Sequence, residues 1–164
     1  MQVGVVSDTH DDMVNVKKII RIFKNEKIEN VIHLGDYVAP PLVKLFAGFN
    51  LTGILGNNDG YQLGLIRTFE EIGGKMLGAF GEINIDNIKI ALYHGEFREI
   101  SEALALSGKY DIVLCGHFHK AENTLFKNTL LLSPGSAHYY FTNDSSPTFG
   151  ILNTLYKSFE IISI

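Results

Sequence analysis

Three successive segments in the first half of the chain each join a short apolar run to a polar turn and then to a helical pattern. The apolar runs cover residues 2–6, 31–34 and 52–55. Their length and their content of Val, Ile and Leu predict buried strands. A strand–turn–helix unit repeated three times predicts parallel strands joined by helical crossovers.

The helix after the first run is indicated by apolar side chains at helical spacing from Met13 to Phe23. Asp11 or Asp12 stands where a side chain caps the first free N–H groups of a helix. The helices after the second and third runs are expected at about 41–48 and up to about residue 72.

The second half of the chain has a different pattern, in which strands predominate. Residues 82–85 and 88–93 flank an Asp-Asn pair and predict a hairpin. A helix is expected at about 99–107. Further strands are expected at 112–115, 130–133, 150–153 and 158–162. The simplest arrangement is one α/β domain over residues 1–164, with two sheets packed face to face and helices outside.

Composition limits the classes of function. The chain has 164 residues, 46% of them hydrophobic, which is ample for a packed core. Fourteen basic against 18 acidic side chains give a formal charge of -4, so no extended nucleic-acid-binding surface is expected. The single cysteine, Cys115, cannot form an internal disulfide. With no signal-peptide pattern and no membrane-length apolar window, we expect a cytoplasmic protein without membrane contact.

The polar residues that follow the predicted strands are the most informative feature. Each of five loops after an apolar run carries a potential metal ligand. Because the carboxyl ends of strands in α/β sheets gather binding residues, these loops are expected to converge. The candidate ligands are Asp8, His10, Asp36, Asn57, His94, His117 and His119.

The chemistry of these seven side chains is consistent. Imidazole, carboxylate and amide groups suit Mn, Fe, Ni, Zn or Mg, whereas a thiolate site would need more cysteines. Seven ligands are too many for one tetrahedral ion but suit two ions that share a carboxylate. If the Asp-x-His and His-x-His segments are extended, their alternating side chains lie on the same side.

Each residue also has a simpler structural interpretation. Asp8 and Asp36 could cap helices, Asn57 could be a turn residue, and the three later histidines could be hydrogen-bonded loop residues. The complete set in this order favours metal binding. By contrast, His33 lies within an apolar run and is expected in the core. The segment Tyr139–Phe141 is left open as core, substrate wall or oligomer contact.

The ordered motifs resemble those of the calcineurin-like metallophosphoesterases. That family's signature is D-x-H, G-D, G-N-[H/C/N]-[D/E], H and G-H-x-H, and the similarity extends over nearly the whole chain. The chain looks most like the YfcE-like single-domain branch, which includes archaeal phosphodiesterases. The resemblance implies an α/β fold, specifically a four-layer α/β/β/α sandwich of two mixed β-sheets flanked by helices, with a dinuclear centre at the sheet edge.

The resemblance also implies a role for each ligand. One ion would be held by Asp8, His10 and His119, and the other by Asn57, His94 and His117, with Asp36 bridging both. Asp36 and Asn57 are therefore candidate catalytic residues, and Asn58 is a candidate for contact with the substrate or with the ligands. Asp59 is left as a helix cap or as a residue behind the ligands. The expected cofactors are two divalent ions, with Mn²⁺ ranked first and Ni²⁺, Fe²⁺, Co²⁺, Zn²⁺ or Mg²⁺ as alternatives.

The implied activity is hydrolysis of a small phosphodiester or phosphate ester by in-line attack of a metal-bridging hydroxide. Two positions depart from the common family pattern. Asn58 stands where many members have a proton-donating His, and Glu96 stands where relatives often have a second His. We therefore expect diesters with good leaving groups to be better substrates than alkyl monoesters. The alternative is a scaffold of the same fold that acts through protein contacts, like the retromer subunit. A homo-oligomer is a further open alternative.

Overall fold

The computed structural model describes all 164 residues, which form eleven strands, four α-helices and one short 3-10 helix. The strands are β1 Gln2–Val6, β2 Asn30–His33, β3 Asn50–Gly53, β4 Lys75–Met76, β5 Phe80–Ile85, β6 Ile88–Tyr93, β7 Ile112–Leu114, β8 Ala121–Phe126, β9 Thr129–Pro134, β10 Thr148–Asn153 and β11 Ser158–Ser163. The helices are α1 Met13–Asn25, α2 Pro40–Val43, α3 Gln62–Glu71 and α4 Arg98–Leu106, and the 3-10 helix spans Lys44–Phe46.

The strands form two mixed sheets. The first has the order β11-β10-β1-β2-β3-β4, in which β1 to β4 are parallel, β10 pairs antiparallel with β1, and β11 pairs antiparallel with β10. The second has the order β5-β6-β7-β9-β8, in which β6, β7 and β9 are parallel. The predicted parallel strands with crossovers and the predicted pair of mixed sheets are both confirmed.

Side-chain alternation in the strands explains the four layers. In β1, Val3 and Val5 enter the core between the two sheets, whereas Val6 faces the helical side of the first sheet. There the first-sheet core includes the apolar face of α1, such as Phe23. On the outer face of the second sheet, Ala105 of α4 packs in a smaller cluster. The order of layers is therefore helix, sheet, sheet, helix.

Local signals determine where the main helix and hairpin lie. Asp12 caps α1, since its carboxylate accepts the Asn15 backbone N–H at 2.9 Å. The β5–β6 hairpin turns at Asp86 and Asn87, which both have positive φ. Such a pair is typical of two-residue hairpin turns.

Three features of the fold differ from the sequence-based expectation. The helix expected at 41–48 is a single α-turn followed by the 3-10 helix, and it ends before Gly48. Two strands were missed. β4 is only two residues long, and β8 is a partly exposed edge strand in which three of the six residues are polar. Neither strand contains an apolar run that would predict it. Both are held in place by pairing with a neighbouring strand rather than by burial.

Candidate metal centre

Five loops meet at one edge of the molecule, and all of them follow parallel strands. Three come from the first sheet, after β1, β2 and β3, and two come from the second, after β6 and β7. Both sheets therefore contribute side chains to one site, at the carboxyl ends where α/β sheets gather binding residues. All seven candidate ligands lie in these loops.

Four of the seven side chains form a tight group. Their ligand atoms lie within 4.8 Å of one another in Asp8, His10, Asp36 and His119. The Nε2 atoms of His10 and His119 are 3.3 Å apart. Asp8 Oδ1 lies 3.2 Å from His119 Nε2 and 3.9 Å from His10 Nε2. Asp36 Oδ2 is 3.6 Å from His10 Nε2.

The other three side chains form an adjoining group around the Asn57 amide. Asn57 Oδ1 is 3.1 Å from His94 Nε2 and 2.9 Å from His117 Nδ1. The two groups meet at Asp36, whose Oδ2 is 3.4 Å from His94 Nε2 and 3.6 Å from His10 Nε2. The structure thus brings together all seven predicted residues, with Asp36 between the two groups.

The backbone brings these side chains together in a way that differs from the expected one. Extended Asp-x-His and His-x-His segments would place their side chains on the same side, but five of the candidate ligands have positive φ. They are Asp8 (52°), His10 (40°), Asp36 (60°), His117 (68°) and His119 (54°). The extended arrangement considered from the sequence is therefore not the one observed. Sharp left-handed turns aim the side chains, a conformation that Asp and His tolerate better than most residues do.

The Asp8 carboxylate is fixed by one oxygen and open at the other. Its Oδ2 accepts hydrogen bonds from the Ser7 hydroxyl at 2.5 Å and the His117 backbone N–H at 3.0 Å. Its Oδ1 is buried and accepts no hydrogen bond. A buried carboxylate oxygen without a partner costs free energy unless a cation lies against it. This open oxygen faces the imidazoles of the tight group, so the donor set fits a divalent ion.

The buried His94 ring is oriented for ligation. Its Nδ1–H donates to the Leu34 carbonyl at 2.6 Å, which turns Nε2 toward oxygens of Asn57, Asp36 and Asp8. Burial alone lowers the pKa of His94, but the nearby Asp36 and Asp8 carboxylates outweigh it and raise the pKa to about 9. The oxygens around Nε2 therefore favour a positive charge at this point.

Asn58 supports the central carboxylate. Its backbone N–H donates to Asp36 Oδ1 and its side-chain amide to Asp36 Oδ2, each at 2.8 Å. Burial would raise the pKa of Asp36, yet hydrogen bonds from His94 and Asn58 hold it well below its usual range. Asp36 is thus kept ionised, as a metal ligand must be.

Asp59 lies behind the candidate ligands, which is one of its two expected positions. It was considered as a helix cap or a residue behind the ligands, but α3 begins after Tyr61. Its buried carboxylate accepts four backbone N–H groups at 2.8 to 2.9 Å, from Gly56, Asp36, Tyr37 and Val38. It therefore joins the loop of Asp36 to the loop of Asn57. The Asp within the Gly-Asn-Asn-Asp motif was the available signal.

His33 is a core residue, as expected, and it also braces the site. Its Nδ1 accepts the Gly35 N–H at 3.2 Å, so Nε2 carries the proton and donates to Thr9 Oγ1 at 3.0 Å. The Thr9 hydroxyl in turn donates to the Asp36 carbonyl. Burial lowers the pKa of His33 to about 3, so the ring is neutral.

Two other predicted features have clear positions. Cys115 is buried, as expected, and burial raises its pKa to about 12. The Tyr139–Phe141 segment is exposed, which excludes the core interpretation.

None of the helices combines the length and apolar character needed to cross a bilayer.

Comparison with known proteins agrees with this geometry. The family model of the calcineurin-like phosphoesterase superfamily domain matches residues 1–157. The chain is 35% identical to the phosphodiesterase MJ0936 of Methanocaldococcus jannaschii, over 99% of this chain and 98% of that protein.

Solved structures support the same relationship. An archaeal phosphodiesterase superposes with a TM-score of 0.92 at 33% identity, with full coverage of both chains. The E. coli phosphoesterase YfcE gives 0.73 at 14% identity, also with full coverage of both. A Vps29 variant from Entamoeba histolytica gives 0.74 at 20% identity over 100% of this chain and 99% of that one. The last two share the fold alone. The ordered motifs, the layered fold and the extent of these matches lead to one conclusion: the chain belongs to the calcineurin-like phosphoesterase superfamily.

Proposed function

We propose that this protein is a metal-dependent phosphodiesterase that hydrolyses small phosphate esters at the site described above. The observation that carries the proposal is the buried, unpartnered Asp8 Oδ1, which faces imidazole nitrogens of His10 and His119. These oxygen and nitrogen atoms offer lone pairs but have no positively charged partner, and a bound cation would supply one. The 35% identity to a named phosphodiesterase supports the ester class.

The two groups of side chains correspond to two ion positions. We assign Asp8, His10 and His119 to one ion and Asn57, His94 and His117 to the other. Asp36 Oδ2 lies within 3.6 Å of an imidazole nitrogen from each group, which supports its assignment as the bridge. All three histidines of the later loops then ligate as neutral imidazoles.

Divalent ions in such a site supply positive charge that stabilises phosphoryl oxygens and makes a bound water more acidic. The chain itself supplies fixed ligands in a largely buried setting, where charge interactions are strong. Asp8 and Asp36 contribute two negative charges against four positive ones, so the loaded site attracts an anionic ester even though the protein carries a net charge of -4. No side chain needs to act as a nucleophile.

Asn58 determines which esters react well. Its backbone N–H and its side-chain amide each donate a hydrogen bond to Asp36. The amide therefore holds the bridging carboxylate and does not protonate a leaving group. For this reason we propose that diesters with good leaving groups react faster than alkyl monoesters.

The proposal is tested by removing metal with a chelator and restoring single ions. Mn²⁺, Ni²⁺, Co²⁺, Zn²⁺ and Mg²⁺ are added separately, and hydrolysis of bis-p-nitrophenyl phosphate is compared with that of p-nitrophenyl phosphate. We expect metal-restored diester cleavage, at least about 100-fold weaker in Asp36→Asn, with fewer bound ions by metal analysis. The matched control is Asp111→Asn, a carboxylate at the opposite end of β7 that pairs with Lys157. Metal-free protein that cleaves equally well would contradict the proposal.

The second candidate is a scaffold that binds proteins, which the shared fold with Vps29 brings into consideration. Seven converging ligand positions argue for the enzyme, because a scaffold does not need them. Stoichiometric metal binding without cleavage of either ester would favour the scaffold.

Three finer expectations accompany the proposal. We rank Mn²⁺ first among the ions because the site combines imidazole, carboxylate and amide ligands. We place the activity in the cytoplasm, where the lone buried Cys115 stays reduced. A homo-oligomer is tested by sedimentation of the metal-loaded protein.

A further inference from the structure

Exposed aromatic rings stand beside the candidate ligands at both ends of the metal centre. The Phe141 ring is 5.2 Å from the His10 ring and 6.4 Å from the His119 ring, between centroids. At the other end, the Phe118 ring is 5.2 Å from the His117 ring. Phe141 is 52% exposed and Phe118 is 41% exposed. Large apolar side chains at this exposure beside a polar site indicate a contact surface for something apolar.

The position of Phe141 is fixed by His138. The His138 Nδ1 accepts the backbone N–H groups of Tyr140 and Phe141 at 3.0 and 3.1 Å. The same imidazole stacks on the Phe141 ring, with centroids 4.5 Å apart and an interplanar angle of 24°. One face of the Phe141 ring is therefore covered by His138, and the exposed half of the side chain remains available for contact.

The segment that carries Phe141 is tied to the loop that carries two candidate ligands. The Asn143 backbone N–H donates to the His119 carbonyl at 2.7 Å, and the Asn143 amide donates to the Phe118 carbonyl at 2.6 Å. Asp144 accepts the Ala121 backbone N–H at 2.8 Å. Both aromatic rings therefore belong to one hydrogen-bonded frame around the site, which keeps them in place before any substrate arrives.

We propose that Phe141 is a specificity-determining residue that stacks on a planar aromatic group of the substrate, so that the site prefers phosphate esters of aryl or nucleoside groups to alkyl ones. A phosphate bound at the metal centre lies beside the His10 and His119 rings, so a ring attached to it comes within reach of Phe141. Offset stacking between aromatic rings is favourable beyond simple area burial. Aromatic protein side chains stack on nucleobases in the same way.

This inference rests on the proposed function, because it assumes that a phosphate ester binds at the metal centre. The two possible classes of ligand share one chemical feature, a flat ring close to a phosphate. The ring comes either from a simple aryl group or from a nucleobase, and two pairs of probes distinguish these sources. Phenylphosphonate and methylphosphonate differ by an aryl ring, and adenosine 5′-monophosphate and ribose 5-phosphate differ by a nucleobase.

The test measures dissociation constants of the four probes by calorimetry on the Mn²⁺-loaded full chain. In the unmodified protein, we expect the ring-bearing member of at least one pair to bind about tenfold tighter, which corresponds to about 1.4 kcal/mol. Phe141→Leu keeps an apolar side chain but removes the ring, so this preference should fall below about threefold. Phe141→Trp should retain it. Tyr140→Leu, an exposed neighbour, and Tyr156→Leu, an exposed ring on the β10–β11 turn, are matched controls that should also retain it.

Several outcomes would overturn the inference. Equal binding within both pairs by the unmodified protein would do so, as would an undiminished preference in Phe141→Leu. If Phe141→Leu changes the oligomeric state in sedimentation and leaves the preference intact, the ring serves contact between copies instead. Failure of the proposed function has a different signature, since bis-p-nitrophenyl phosphate is then not hydrolysed by any variant with any metal.

Discussion

The buried Asp59 carboxylate accepts the backbone N–H of Asp36 at 2.9 Å, so Asp59 fixes the position of the Asp36 peptide group. With its three further backbone contacts, Asp59 is the element that keeps two ligand-bearing loops in register. Groups behind metal ligands commonly tune affinity by 10- to 100-fold.

Replacing Asp59 by Asn should therefore damage metal binding. The amide has one oxygen instead of two, so it faces two of the four N–H groups with its own donors. Two N–H groups, one buried and one partly buried, then lose their acceptor, which costs about 2–4 kcal/mol of unfolding free energy in total. We expect metal affinity to fall by at least about tenfold, measured by calorimetry on protein that is still folded.

The control for this variant is Asp11→Asn, since Asp11 accepts one backbone N–H, from Ala39 at 3.2 Å, in an exposed setting. Its metal affinity should be unchanged. If Asp59→Asn loses stability but keeps full metal affinity, Asp59 supports the fold only and does not position the ligands.

A second prediction concerns the glycine before Asn57. A Cβ on Gly56 would lie 2.3 Å from Asp36 Oδ1 and 2.6 Å from the Asp36 backbone N. Gly56→Ala must displace the Asp36 carboxylate, the proposed bridge, so we expect loss of metal binding and a destabilisation of about 1–3 kcal/mol. Gly60→Ala in the same loop is the matched control, because nothing lies within 4 Å of its Cβ. Equal metal titrations for the two variants would contradict the assigned role of the Gly56 loop.

A third prediction follows from the pKa of His33, which burial lowers to about 3. In the unfolded chain the ring titrates near pH 6.5, so the unfolded state binds the proton more readily. The contribution of His33 to stability is complete above about pH 6.5 and is lost as the pH falls toward 3. The slope is at most about 1.4 kcal/mol per pH unit.

The His33→Asn variant separates this contribution from that of other titrating groups. The amide oxygen replaces Nδ1 as acceptor for Gly35 but does not titrate. Urea unfolding at several pH values between 4 and 7 should give a shallower pH dependence for the variant. If the unfolding free energy depends on pH equally in the two proteins, His33 titrates normally in the folded protein.

A fourth prediction concerns the single thiol. Cys115 is 2% exposed and its pKa is raised to about 12, so the reactive thiolate is scarce at neutral pH. A thiol reagent at pH 8 should label none of the native protein within minutes and one equivalent in denaturant. Rapid native labelling would show that the chain opens locally at Cys115, directly after β7.

Much of the site was predictable from sequence because its ligands follow apolar strands, and the ends of parallel strands meet at one edge. Asp36 is an example: a Gly-Asp pair directly after a buried run. Edge strands such as β8 were not predictable, since a half-polar, partly exposed strand held by pairing offers no run of buried apolar residues. The left-handed turns at His10 and His117 were missed because Asp-x-His and His-x-His patterns do not encode φ.

The contacts around the ligands were also beyond the reach of sequence reasoning. That Asp59 binds four N–H groups depends on two loops that are about twenty residues apart and meet only in the folded chain. For Asn58, contact with the substrate or with the ligands was expected, and its amide donates to the candidate ligand Asp36.

The positive φ of five proposed ligands has a consequence for how this protein can evolve. Side chains other than Gly in such conformations cost roughly 1 kcal/mol or more each. Glycine at Asp36 or His117 would relieve that strain, so each of these five side chains lowers the stability of the metal-free protein relative to glycine. A lineage released from selection for hydrolysis would therefore gain stability by replacing these five residues first.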